Sequence, residues 1–146
     1  MVTGAGILTL TSCSTPTPNR NPTGDPFPPV SGESLKGEAI ELPAAVAGDP
    51  AIFMVGYVQA TQFDLDRWTL GFAQAKAKIR VVEVPAVVGW FPNVFLQSTI
   101  DNGMRAGIPS EDWGSVVTLY GADAQRLQKL TGNENPRNGR ILLLDD

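Results

Sequence analysis

At 146 residues, with 42% apolar and 18% charged side chains, the chain has the size and composition of one globular domain able to bury a core. Its formal net charge of −4, without a basic cluster, argues against nucleic acid as a partner. It has no histidine and one cysteine, Cys13, which excludes imidazole-dependent catalysis, most zinc sites, an internal disulfide and a dithiol redox pair.

The first element in chain order is a short run of small and apolar residues, Val2 to Thr11, too short to cross a bilayer. It leads into Leu10-Thr11-Ser12-Cys13. This resembles the lipobox of bacterial lipoprotein signals, in which two small residues separate a leucine from the cysteine. The resemblance implies lipid attachment at Cys13 and a protein held at the outer face of a membrane. No Lys or Arg precedes Cys13, a departure from the positively charged start of secretory signals. The alternative is an unstructured terminus with an isolated cysteine. Ser14 to Pro29 is rich in Pro, Thr and Asn and reads as an extended tether. The expected organisation is therefore 1–13 signal and lipobox, 14–29 tether and 30–146 folded domain.

Within the folded part, Gly32, Gly37, Pro43, Gly48 and Pro50 mark turns, with Ala39 to Leu42 as a short edge strand. Ala51 to Val58 is continuously apolar, as in a strand buried on both faces. Leu65, Trp68, Phe72 and Ala75 then recur at helical spacing, which predicts a helix over Phe63 to Ala77 with Trp68 in the core. Ile79 to Val84 is a second strand, ended near Pro85 because proline cannot donate to a ladder. Asn93 is placed to cap a helix over Val94 to Ala106, with Leu96, Ile100 and Met104 on its apolar face. Asp101 and Arg105 lie four residues apart on it and read as a surface ion pair. Ser115 to Tyr120 is a third core strand, Asp123 caps a short helix closed by Gly132, and Arg140 to Leu144 is a fourth strand. Strands alternating with helices predict right-handed crossovers and a largely parallel sheet.

Two stretches, "FPPVSGESLKGEAIELPAAVAGDPAIFMVGYV" and "VVTLYGADAQRLQKLTGNENPRNGRILLLDD", resemble in their order the thioredoxin-like superfamily, in its peroxiredoxin-like and periplasmic oxidoreductase branches. There is a fainter similarity to mitochondrial ATP synthase assembly factors of the same fold. The fold this implies is α/β, with a central mixed, mostly parallel sheet flanked by helices and cut short at the C-terminal hairpin. The last strand is then an exposed edge. The resemblance places the redox cysteines of that superfamily at the turn occupied here by Thr61, Gln62, Phe63 and Asp64, and its cis-proline at Asn138 and Gly139. A thiolate carries that chemistry, and no base is at hand to activate Thr61 in its stead.

The sequence thus implies a scaffold without its reaction: a membrane-anchored, redox-inactive binding or assembly-factor domain with no cofactor, whose partner is an envelope protein. Its partner-facing residues are expected to be Gln59, Trp90, Phe91 and Asp123, on loops at the carboxyl ends of the parallel strands. Two other readings stand beside it. One is a thiol oxidoreductase or peroxidase with a non-standard site. The other is a binder of a small ligand or divalent cation through the aspartates near Asp64.

Overall fold

A computed structural model of the protein describes residues 16–89 and 94–145. The continuous apolar run forms β3 (Ala51–Gly56), in which every residue but the last is buried. Strand β4 (Arg80–Val87) pairs parallel to it, with Ile52 opposite Val81 and Val55 opposite Val84. Strand β5 (Val117–Tyr120) lies parallel to β4 on its other side. These three strands are the parallel centre. Around them β6 (Arg140–Leu144) runs antiparallel to β3, β1 (Val30–Ser34) runs antiparallel to β5, and β2 (Ala39–Leu42) forms a hairpin with β1. The sheet order is β2-β1-β5-β4-β3-β6. Parallel pairing is confined to the centre, so the sheet as a whole is mixed, and the fold is α/β with helices on both faces of the sheet.

Alternation along β3 and β4 sends two sets of side chains to opposite faces. One face holds Ile52 and Met54 beneath Leu65 of helix α1 (Gln62–Gln74), with Phe72, Ile79 and Ile141 around them. The other holds Phe53, Val55, Val82, Val84 and Ala86, covered by Ala124 and Leu127 of helix α3 (Gly121–Thr131). Phe27 closes that face edge-on to Phe53, ring centres 5.0 Å apart.

Several expectations are corrected. Strand β1 lies where turns were expected, because Gly32 serves as a spacer within a strand. A Cβ there would come within 2.8 Å of Val117 and Leu119 side-chain atoms, so the residue must be glycine for β1 to approach β5. Strand β4 continues through Pro85 to Val87. The proline lies in register with Gly56, and the β4–β5 ladder lapses between the Glu83–Val116 bridge and the Ala86–Leu119 pair. Burial of Val84 and Ala86 carries the strand past the missing donor. Trp68 is 45% exposed and stacks along α1 on Phe72 instead of entering the core.

Helix α2 (Val94–Gly107) is seated differently from the expectation. Its inward stripe is polar: the Tyr120 hydroxyl donates to the Asp101 carboxylate at 2.8 Å, and Arg105 Nε donates to the Leu35 carbonyl at 2.7 Å. Asp101 and Arg105 are thus spent on separate partners and do not form the expected pair, while Leu96 is exposed. Arg105 also lies over the Trp113 ring. Helix α3 begins two residues before Asp123, which sits in its first turn.

The Pro-rich stretch is docked from Thr17 onward. Thr17 exchanges hydrogen bonds with Asn133, and Arg20 N–H donates to the Thr131 carbonyl. Gly132 makes this possible, since its φ is +69° and a Cβ would stand 2.2 Å from the Pro18 carbonyl oxygen.

Candidate functional site

The carboxyl ends of β3, β4 and β5 share one edge of the sheet because the strands are parallel neighbours, and this edge is where open α/β folds place their chemistry. From β3 the chain passes through Tyr57 and Val58 into a 3-10 turn, Gln59–Thr61, and then α1. Thr61 is buried, and its hydroxyl donates to the Pro136 carbonyl at 2.7 Å. Asp64, in the first turn of α1, accepts the Gly139 N–H at 2.7 Å. Gly139 is pressed so closely on α1 that a Cβ would lie 2.6 Å from Leu65. The turn at Thr61 to Asp64 is therefore stitched to the loop that leads into β6. Asp64, at the start of α1, thereby fastens that loop.

Gln62 reaches sideways. Its Nε2 donates to Asp66 at 2.9 Å, and it also hydrogen-bonds Glu83 of β4. Burial pushes the Glu83 carboxyl above the usual range; the Gln62 bond opposes this and the nearby Asp66 charge adds to it. Phe63 points outward and is 76% exposed. On the opposite face, buried Tyr57 bonds the Thr131 hydroxyl at 2.7 Å, and Arg140 lies 5.8 Å over its ring. Burial pushes the Tyr57 hydroxyl up to about 12, with the Thr131 bond and Arg140 partly offsetting, so it stays neutral at physiological pH.

The sequence-derived residues are thus only partly brought together. Gln59, Thr61, Gln62, Phe63 and Asp64 form one turn, with Gln59 exposed. Asp123 is bound elsewhere: it accepts the Ser31 N–H of β1 and pairs with Arg126. In the strand order, β5 and β4 separate β1 from β3, so Asp123 belongs to the far flank. Trp90, Phe91 and Asn93 lie outside the described residues, as does the Cys13 motif. Among the described residues no group of three acidic side chains is arranged to hold a metal ion. No helix among them is long and apolar enough to cross a membrane.

Sequence reasoning overlooked the loop Pro136–Gly139 as a partner of the Thr61 turn. Its signal was the glycine ahead of an apolar strand, which marks a close backbone approach. Glu83 was overlooked as well, although a carboxylate in the middle of an otherwise apolar strand was legible.

No family model matches the chain, and no curated protein matches it. Among solved structures it is similar to the pneumococcal exposed lipoprotein thioredoxin Etrx1 of Streptococcus pneumoniae, at 12% identity and a TM-score of 0.45 over 70% of this chain and 72% of that one. It is similar to BsSco, a member of the Sco family of cytochrome c oxidase assembly proteins, at 11% identity and a TM-score of 0.44, over 70% of this chain and 59% of that one. A SCO1/SenC family lipoprotein from Bacillus anthracis is similar at 11% identity and a TM-score of 0.43, over 81% of this chain and 73% of that one.

Proposed function

We propose that the chain is a redox-inactive thioredoxin-like domain that works by binding, as an assembly or scaffolding factor of the cell envelope, anchored through a lipid on Cys13. The observation that carries this reading is the use made of the turn between β3 and α1. Thr61 and Asp64 hold the loop before β6 in place, and no thiol or imidazole lies in that turn. Such an edge, closed by its own backbone, offers a recognition surface where the superfamily that the sequence resembles carries its redox cysteines. Phe63 and, on α2, Phe95 stand 76% and 78% exposed, unusual exposures for phenylalanine and suited to anchoring a protein partner. Gln59 and, from the sequence, Trp90 and Phe91 complete the proposed partner-facing set.

Crosslinking in the native envelope tests the binding role. The wild-type chain is expected to capture a protein partner, and Trp90→Ala and Phe63→Ser to weaken that capture. Anchoring predicts that the protein fractionates with membranes and that Cys13→Ser releases it. Disulfide reduction or peroxide consumption by the Cys13→Ser variant above buffer background would overturn the redox-inactive reading. Wild-type protein found wholly in the soluble fraction would overturn the anchor.

A further inference from the structure

The Pro-rich stretch expected to be an extended tether is strapped to the fold for part of its length. Thr17 N–H donates to the Asn133 side-chain oxygen at 2.8 Å, and Asn133 N–H returns a bond to the Thr17 carbonyl at 2.9 Å. Asn19 N–H donates to the Glu134 carboxylate at 3.4 Å. The Asn19 side-chain oxygen accepts the Glu134 N–H at 3.1 Å and an Arg140 N–H at 2.7 Å. Arg20 N–H closes the series on the Thr131 carbonyl. The segment so gripped joins α3 to β6, and it also holds the turn before α1 through Pro136 and Gly139. Thr131 bonds Tyr57, which follows β3, so the strapped end lies at the carboxyl edge of the parallel strands.

The strap limits the reach of the chain ahead of it. Cys13 is four residues before Thr17. An extended chain covers at most about 3.6 Å per residue, so Cys13 stays within about 14 Å of Thr17. The strapped end also carries positive charge. Lys129 and Arg137 are exposed there, and among the described residues neither has an ion-pair partner. Arg20 is paired with Asp25, and Glu134 is bound to the Asn19 N–H. A second cationic stretch, Lys76, Lys78 and Arg80, lies at the opposite edge, ahead of and at the start of β4. Strand β4 has 8 residues and so spans about 25 Å, which puts that edge beyond the reach of Cys13. Lys36 lies at the far edge too, since β1 runs antiparallel to β5.

We propose that the strap fixes which end of the domain meets the bilayer: the surface formed by Thr17 to Arg20, Lys129 and Arg137 lies against an anionic lipid surface. The proposal rests on lipid attachment at Cys13. An anchor within about 14 Å of Thr17 brings the strapped end to the headgroups and keeps the Lys76 edge away from them. Lys129 and Arg137 then face anionic lipid, where each cation strengthens attachment about fivefold. The turn before α1, tied to the same segment, comes to lie beside the membrane. The partner class that fits it is a protein presenting its recognition site at the bilayer surface.

The test couples the full chain through Cys13 to maleimide-bearing phosphatidylethanolamine in vesicles, one set of phosphatidylcholine and one with phosphatidylglycerol added. The link is chemical, so its outcome is independent of lipid attachment in the cell, which the membrane fractionation above decides alone. Acetylation by a water-soluble reagent, read by mass spectrometry, reports which lysines stay open to solvent. On vesicles with phosphatidylglycerol, Lys129 is expected to react about fivefold more slowly than in solution, as one cation held at an anionic surface supports. Lys36, Lys76 and Lys78 are expected to keep their solution rates. The protection is expected to be smaller on phosphatidylcholine, and Arg137→Glu to cancel the gain from phosphatidylglycerol. A flexible Gly-Ser insertion between Ser14 and Thr15 lengthens the reach without touching the fold and is expected to return Lys129 to its solution rate on phosphatidylcholine. Lys129 as reactive on vesicles as in solution, protection of Lys76 and Lys78 in its place, equal protection on the two lipids, or an insertion variant still protected on phosphatidylcholine would each overturn the proposal.

Discussion

Gly132 shows how much one residue without a side chain can decide. It combines a left-handed backbone with an approach to Pro18 that leaves no space for a methyl group. Gly132→Ala is therefore expected to destabilise the fold by about 1–3 kcal/mol from the backbone term alone and to detach the segment around Pro18. Urea denaturation measures the first effect and limited proteolysis near residue 18 the second. Glu83 is the converse case, a side chain whose charge the fold tolerates at a cost. Because burial raises its carboxyl above the ordinary value, the folded state holds the proton more tightly than the unfolded state. The stability it contributes is thus complete below the unfolded carboxylate range and is lost as pH rises through the raised folded value. Glu83→Gln, which keeps the shape, is expected to melt higher than wild type at neutral pH, with the difference vanishing in acid. Melting curves at the two pH values check this, and an equal gain at both would contradict it.

Helices α1 and α2 flank the same face of the sheet with unequal grip. Helix α1 has one fully buried apolar anchor, Leu65, while Phe63, Trp68 and Leu70 on the same helix are exposed. Leu65→Ala is expected to cost about 2–5 kcal/mol, whereas Phe63→Ser should stay within about 0.5 kcal/mol of wild type. Chemical denaturation of the two variants side by side tests this, and a large loss from Phe63→Ser would mean that Phe63 packs in solution. Helical spacing in the sequence gave the position of both helices to within a few residues. It placed Leu65 and Phe72 of α1 inward correctly and misplaced Trp68, and it missed the seating of α2, where Asp101 accepts the Tyr120 hydroxyl and Arg105 donates to the Leu35 carbonyl, contacts that no apolar period reveals.

At the scale of the molecule, the parallel centre is the source of cohesion, with Phe53, Val55, Val84 and Leu119 all fully buried. Val55→Asp would bury an unpaired charge at its middle and is expected to abolish folding, read as loss of cooperative melting by circular dichroism. Much of this centre was legible in the residues. A short, wholly apolar run bounded by turn residues reads as a strand covered on both faces, and its alternation with helical periods implies the crossovers that make neighbouring strands parallel. Composition also excluded imidazole chemistry at the Thr61 turn, since a residue type missing from the chain cannot be supplied by folding it. What only the tertiary structure decided were the contacts between segments far apart in sequence. Thr61 meets Pro136, Asp64 meets Gly139, Thr17 meets Asn133, and Gly32 lets β1 lie against β5. Each depends on a close approach of backbone to a distant partner. Local propensity carries no record of such a partner, so a glycine that permits contact reads in sequence as a turn, and an aspartate that ties down a loop reads as an ordinary helix start.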